Sequence, residues 1–533
     1  MMKLKDFKIF VFLIFFPFIS FTQVNIFGNI YDKSSVLPLD SVEIYNEFGG
    51  LLATTNAQGR YDFTTSETEL KLIFFKYGYK LLKTSLLFKD SQLEDIFLDQ
   101  SVEELSEVQL VAAKQKIFSI KRLKDVEGTA IYAGKKTEVI LVDNLMANLA
   151  SNNSRQIYSQ IVGLNIYQND DAGLQLNIGG RGLDPNRTSN FNTRQNNYDI
   201  SADVLGYPES YYSPPAESLS EIQIIRGAAS LQYGTQFGGL VNFKTKTPNR
   251  YKKLEVVLRN TIGSNGLYTN FTSFSGTSKN LSYYTYVNYK KGNGFRPNSE
   301  FESINIFTHF EYAFSSQTKL AVEITYLNYL AQQAGGLNDA MFNNNPYQSV
   351  RSRNWFKVNW LLYNAKFTHN FSDQTRFSFN FFGLKASRDA IGFRTNRVDQ
   401  IDSFEERDLI KGTFENFGFE PRFLHSYNFL GKKAKILLGG KFYKSSNTSE
   451  QGPGSNGFDA DFDFETDQYI DYKAQSFYKY PNLNTALFGE QIIYLKENLS
   501  ITPGFRLEHI KTESAGYYKN INLDAAGNLL LNE

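Results

Sequence analysis

From about residue 251 onward the chain alternates apolar and polar residues with period two, which places successive side chains on opposite faces of a sheet. Between 319 and 326, Leu320, Val322, Ile324 and Tyr326 share one face, while Lys319, Ala321, Glu323 and Thr325 share the other. The stretch 376–381 repeats the pattern, with Phe377, Phe379 and Phe381 set against Arg376, Ser378 and Asn380. A single such strand also suits a soluble sandwich with one wet face. The connections decide between the two. Strands read by alternation leave connections near 263–267, 276–280, 291–302, 314–317, 331–355, 371–374, 387–411, 428–433, 447–482 and 496–498. From the second onward they run short, then long, which is the pattern of a membrane barrel with tight turns at one end and extended loops at the other. About eleven strands are counted, whereas plugged outer-membrane transporters close with 22. The expected fold is mainly β, ending in an incomplete antiparallel transmembrane barrel over 249–533, with the sequence breaking off in an external loop. Pro503, inside the strand 499–507, is expected to mark a local bulge, because proline removes a ladder hydrogen bond.

The other end of the chain fits export. Lys3, Lys5 and Lys8 precede an apolar run from Ile9 to Ile19 and then Ser20-Phe21-Thr22. This reads as a secretory signal over 1–22, the run being too short to span a bilayer. No later segment is long and apolar enough for a membrane helix, so an exported chain that enters a membrane does so as a closed barrel. With 56 Lys+Arg against 55 Asp+Glu there is no basic footprint for nucleic acid. The absence of cysteine removes disulfides, thiolate metal sites and a thiol nucleophile. His309, His369, His425 and His509 lie too far apart for metal-ligand spacing. No constellation for hydrolysis or redox chemistry emerges, no cofactor is expected, and an enzyme is disfavoured.

Three segments precede the barrel. Residues 23–100 read as a small β-sandwich, with Gly28-Asn29-Ile30-Tyr31-Asp32 at its start and a turn at Asn56-Ala57-Gln58-Gly59, where glycine supplies the permissive backbone. With Tyr77-Gly78-Tyr79 it resembles a carboxypeptidase-regulatory-like domain. Residues 101–114 carry an acidic lead into an alternating stretch, Glu107-Val108-Gln109-Leu110-Val111, able to add as a strand to a partner's sheet edge. Residues 115–248 carry, in order, Val139-Ile140-Leu141-Val142, Val162-Gly163-Leu164-Asn165-Ile166, Leu176-Asn177-Ile178-Gly179-Gly180-Arg181-Gly182, Glu221-Ile222-Gln223-Ile224-Ile225-Arg226-Gly227 and Gly238-Gly239-Leu240-Val241-Asn242-Phe243. Together these resemble the α+β plug domain of TonB-dependent receptors. The stretches 189–195, 206–215 and 232–239 resemble the ferric dicitrate branch of that family.

The resemblance implies import of an iron(III) chelate, first of all ferric citrate, across the outer membrane. It implies a monomer with its N-terminal domain in the periplasm and residues 107–111 as the TonB box engaged by the energy-transducing complex. Iron arrives already chelated, so no protein ligand for it is expected. An anionic chelate calls for arginine, whose planar fork matches carboxylates. The expected ligand set is Arg187, Asn190, Arg194 and Gln195 at the plug tip, with Arg351, Arg353, Arg394 and Arg397 from long loops that also hold Arg388. Arg181 and Arg226 are expected to lock the plug to barrel glutamates, Glu490 among them. The alternatives are the same fold importing another siderophore, a cobalamin or a glycan, or an outer-membrane adhesin or barrel enzyme.

Overall fold

The computed structural model describes residues 24–532 other than 34, 47–50, 66–68, 77–78, 80, 88–94, 100–120, 146, 169, 171, 205–206, 228–229, 235–237, 396, 497–498, 520 and 524–528. The expected signal and the segment 107–111 lie outside the described residues. The chain forms two compact units divided at residues 119/120.

In the first unit, Arg60–Thr65, Val24–Asp32 and Ile96–Leu98 make one sheet, and Leu51–Thr54, Glu43–Asn46, Glu69–Phe75 and Leu82–Leu87 make a second. Alternating residues of both sheets meet in one core that includes Ile26, Ile30, Ile44, Tyr61, Phe74 and Leu98. The turn into Arg60–Thr65 forms because the Asn56 side chain accepts from the backbone of Gln58 and Arg60, both at 3.0 Å. Gly59 there takes φ +74°, open to glycine at no steric cost.

The second unit is a wall and an inner body. In the wall, ten antiparallel strands follow chain order from Glu255–Ile262 to Ser476–Lys496. An eleventh follows as Leu499–Ile501, Gly504–Thr512 and Ala515–Tyr518, all paired with Ser476–Lys496. Pro503 corrects one expectation. Ile493 faces Ile501 before it and Glu490 faces Gly504 after it, so the register is unbroken. The proline interrupts the ladder because it has no N–H to give, yet its carbonyl still accepts from Gln491 at 2.9 Å; the irregularity sits instead between Tyr494 and Lys496. Among the described residues the sheet is an open arc whose outer members each pair on one side only.

Short turns at 279–280, 314–317, 371–374 and 430–431 lie at one end, and the long connections 333–354, 393–406 and 455–475 lie at the other. The strands overrun the sequence-based limits at the long-loop end. Lys432–Gly454, expected to stop near 446, stays paired with Arg407–Phe429 as far as Gly454. Ser445 to Gln451 is polar on both faces and shows no alternation, but a backbone ladder needs none.

Burial fixes which face meets what. In Thr318–Gln332, Val322, Ile324 and Tyr326 are 40, 49 and 38 % exposed, while Glu323 and Thr325 are 4 and 0 % exposed. Apolar outside and polar inside inverts a soluble sheet and matches a wall facing lipid. Arginine in place of Ile324, near mid-strand, is expected to destabilise the protein in a bilayer by ~2–4 kcal/mol, read by urea titration in lipid vesicles. A change under ~0.5 kcal/mol, ordinary for an exposed position facing water, would mean that this face is wetted.

The inner body centres on a five-stranded sheet in the order Lys136–Leu141, Leu219–Arg226, Gly239–Thr245, Phe191–Gln195, Tyr198–Asp199. Its described helices are single turns such as Ser154–Ile157, where the Asn153 side chain caps the Gln156 N–H. Its core runs into the wall's inner face: the Tyr211 ring lies 6.0 Å from Trp360 and 6.3 Å from Phe414.

Candidate functional site

Two of the regions where the inner body meets the wall concentrate charged side chains. The first is a buried polar contact. Arg194, the penultimate residue of Phe191–Gln195, is fully buried and donates to both oxygens of Glu420 on the wall strand Arg407–Phe429, at 2.9 and 3.1 Å. Arg422, two residues along that strand, approaches the same carboxylate at 3.4 Å and donates to the Gln232 side chain at 3.0 Å. Both guanidinium groups lie near the Tyr233 ring, Arg194 4.8 Å and Arg422 4.7 Å from its centroid. Gln232 also donates to Glu490 at 2.6 Å, and Glu490 pairs with Lys135 of the inner body. Further along, Asn196 donates to Glu323 at 2.9 Å and Gln195 to Thr325 at 3.1 Å.

The second region is a cavity of about 760 Å³ at the long-loop end, between the inner body and the wall. Among the described residues, four arginines line it: Arg296, Arg351, Arg388 and Arg394. The Arg388 guanidinium lies 5.4 Å from the Tyr211 ring, and its Nε has no hydrogen-bond partner among the described residues. Arg351 stacks over Phe393 at 5.1 Å and donates to the carbonyls of Gln400 and Val398 and to the Thr395 hydroxyl. Amides surround these charges, among them Gln168, Gln175, Asn177, Gln332 and Asn354. Among the described residues, one carboxyl, Asp170, also lines the cavity. Burial raises its pKa, against hydrogen bonds from the Leu174 and Gln175 backbones at 3.0 and 3.2 Å and the charge of Lys290. A mostly cationic, amide-rich cavity of this size accommodates a compact polyanion, with charge-assisted and bidentate bonds available to its carboxylates.

No family model and no curated protein matches the chain. Solved structures do. The ferric citrate transporter FecA in its unliganded form superposes with a TM-score of 0.60 at 18% identity, over 75% of this chain and 58% of that one. The ferripyoverdine receptor of the outer membrane of Pseudomonas aeruginosa gives 0.60 at 13% identity, over 83% and 62%. The copper transporter OprC gives 0.54 at 14%, over 75% and 63%. The fold is that of the TonB-dependent receptors, a β-barrel wall around a plug. The chain spans about three-fifths of the length of the structures it matches. Those proteins are transporters and receptors.

In this fold the inner body is the plug, and several expected residues take other places. Arg226 does not reach Glu490: it pairs with Glu138 inside the plug and donates to the Val162 carbonyl at 3.1 Å. The antiparallel register explains this, since Arg226 lies opposite Lys136, two residues from Glu138 on the neighbouring strand. Arg181 is exposed at φ +58°, in the turn that leaves Asn177–Gly180. Among the described residues, the plug side chains that engage barrel glutamates are instead Arg194, Lys135, Gln232 and Asn196. Of the expected ligand set, Arg351 and Arg394 line the cavity. Arg194 is consumed by Glu420, and Gln195 is buried among Tyr198, Tyr212 and Thr325. Asn190 donates to the Asp184 carbonyl at 3.0 Å, bracing its own loop. Arg353 is fully buried against Asp402, and Arg397 is exposed and paired with Asp399 at 2.8 Å. Arg187 lies in the 3₁₀ turn Asn186–Thr188, and its neighbour Asn186 lines the cavity. Arg296 was missed. Its connection, Asn293-Gly294-Phe295-Arg296-Pro297, is among those expected at the long-loop end, so a search of every such connection for cations would have found it.

Proposed function

We propose that this chain forms part of a bacterial outer-membrane receptor that imports an anionic iron(III) chelate, with ferric citrate as the first candidate. The cavity carries this reading: four arginines converge on a space large enough for a small metal chelate, at the end of the barrel where the long loops gather. In this reading the long loops face the exterior and the short turns face the periplasm, where the N-terminal unit, similar to a carboxypeptidase-regulatory-like domain, also resides. Residues 107–111 serve as the segment pulled by the TonB complex, and energy comes from the inner membrane.

The aromatic lining favours a second reading, a chelate that carries aryl rings. Tyr211, Phe295, Phe301, Tyr329, Phe356 and Phe393 alternate with the arginines, and flat rings stack on such faces. The two readings separate in receptor-deficient cells that express the complete gene. Uptake of radiolabelled iron is measured from ferric citrate, a ferric catecholate and a neutral hydroxamate chelate, with cobalamin as a further competitor. The expected result is energy-dependent uptake of ferric citrate, lost on deletion of residues 107–112. Preference for the catecholate supports the aryl reading; uptake of the neutral chelate alone, or none that depends on residues 107–112, overturns both.

A further inference from the structure

We infer that Arg353 and Arg407 form a clasp that fixes three outer loops before any ligand arrives, making Arg353 a positioning residue for the cavity arginines. The role of those arginines rests on the anionic-chelate reading above; the clasp itself rests on geometry. Arg353, the penultimate residue of the 333–354 connection, is fully buried. Its Nε and Nη2 donate to the two oxygens of Asp402 at 2.7 and 2.5 Å, and its Nη1 donates to the Glu405 carbonyl at 2.7 Å and the Asn456 carbonyl at 3.1 Å. The Phe404 ring covers it at 5.4 Å. Arg407, also fully buried, donates to the Ser455 carbonyl and hydroxyl at 2.8 and 2.7 Å, to the Asp459 carbonyl at 2.7 Å and to the Arg353 carbonyl at 3.2 Å. Two buried guanidinium groups therefore tie together the connections 333–354, 393–406 and 455–475. A fork so fully occupied by acceptors has little left for a ligand.

What the clasp holds is the cavity. Arg351 lies two residues before Arg353 and reaches Thr395, Val398 and Gln400. Asp402 thus anchors the 393–406 connection at its far end while Arg351 anchors it nearer Arg394. On the other side, Gly335 at φ +79° passes so close that a Cβ there would stand 2.7 Å from the Arg351 side chain. The cations are spaced in advance, and a ligand meeting preset donors avoids the cost of ordering loops. This differs from a mouth whose loops close only around the ligand.

The test uses the complete receptor in cells. The 533 residues contain no cysteine, so Ala334→Cys, at a cavity-lining position of the 333–354 connection that is 4 % exposed, adds a single thiol to this part of the protein, and the unmodified receptor serves as blank for a membrane-impermeant maleimide. Arg353→Ala is expected to raise the half-saturating concentration for ferric citrate uptake by about tenfold or more, with the maximal rate within about twofold of the parent. Arg353→Lys, which keeps the charge and loses the fork, is expected to fall between. Labelling of Ala334→Cys is expected to be slow in the parent with or without ferric citrate, and roughly tenfold faster once Arg353→Ala is added. Asp402→Asn repeats the test if Arg353→Ala fails to reach the surface. Parent labelling that starts fast and slows only on adding ferric citrate overturns the clasp, as does an unchanged half-saturation in both variants. A parent receptor that takes up no ferric citrate refutes the substrate reading instead, and the labelling without ligand still decides the clasp.

Discussion

Glu420→Ala is expected to destabilise the plugged barrel by about 3–5 kcal/mol, the usual penalty for leaving a buried charge without its partner. Glu420 is 1 % exposed and is the only carboxylate among the described residues bonded to Arg194, which is itself fully buried. Arg422 shares that carboxylate and also lies against the Tyr233 ring. Removing the acid would therefore leave two guanidinium groups facing one aromatic ring with their charge uncompensated. Glu420→Gln keeps the shape and some hydrogen bonds, and is expected to fall between. A denaturant titration of the detergent-purified protein measures the loss. In cells, entry of a large hydrophilic antibiotic reports whether the plug has loosened. Arg226→Ala is the contrast: its acid partner is within the plug, so the antibiotic should stay excluded. If Glu420→Ala unfolds within ~0.5 kcal/mol of the parent, as a neutral surface change would, the contact does not hold the plug.

On the ferric citrate reading proposed above, Arg388→Ala is expected to weaken binding of that chelate by roughly tenfold to a hundredfold, since a hydrogen bond to a charged group contributes about 1.5–3 kcal/mol. Arg388 is a cleaner probe than Arg351, whose donors brace the 393–406 connection as well as line the cavity. The loss should be largest at low ionic strength, because added salt screens the attraction that the arginine provides. Arg388→Lys is expected to recover only part of the affinity, a point charge replacing a planar fork. Equilibrium binding to de-energised cells separates this from any effect on transport. An unchanged affinity would remove Arg388 from the site and shift weight to the aryl-chelate reading.

The barrel strands were readable from the sequence because their side chains report a local fact. Val322, Ile324 and Tyr326 alternate with Glu323 and Thr325 whatever else the chain does, and the pleat converts that order into two faces. The turns at 314–317 and 371–374 fell at their expected positions for the same reason. The strand limits at the long-loop end were not readable, since above the apolar band both faces are polar while the backbone pairing continues.

The partners of the arginines were decided only in three dimensions. Arg194 meets Glu420 across more than two hundred residues, whereas Arg226, in an Arg-Gly turn much like that of Arg181, turns back to Glu138. Sequence alone gives each of these residues the same charge and the same reach. Which carboxylate is near enough, and dry enough, to hold it depends on how the plug sheet is seated against the wall. The sequence by itself determined that there is a plug and a wall with its apolar face outward, because periodicity and motif order are properties of neighbours along the chain. Only the tertiary structure separated the arginines that line the cavity from those that fasten the plug or the loops, because burial and ion pairing are properties of neighbours in space.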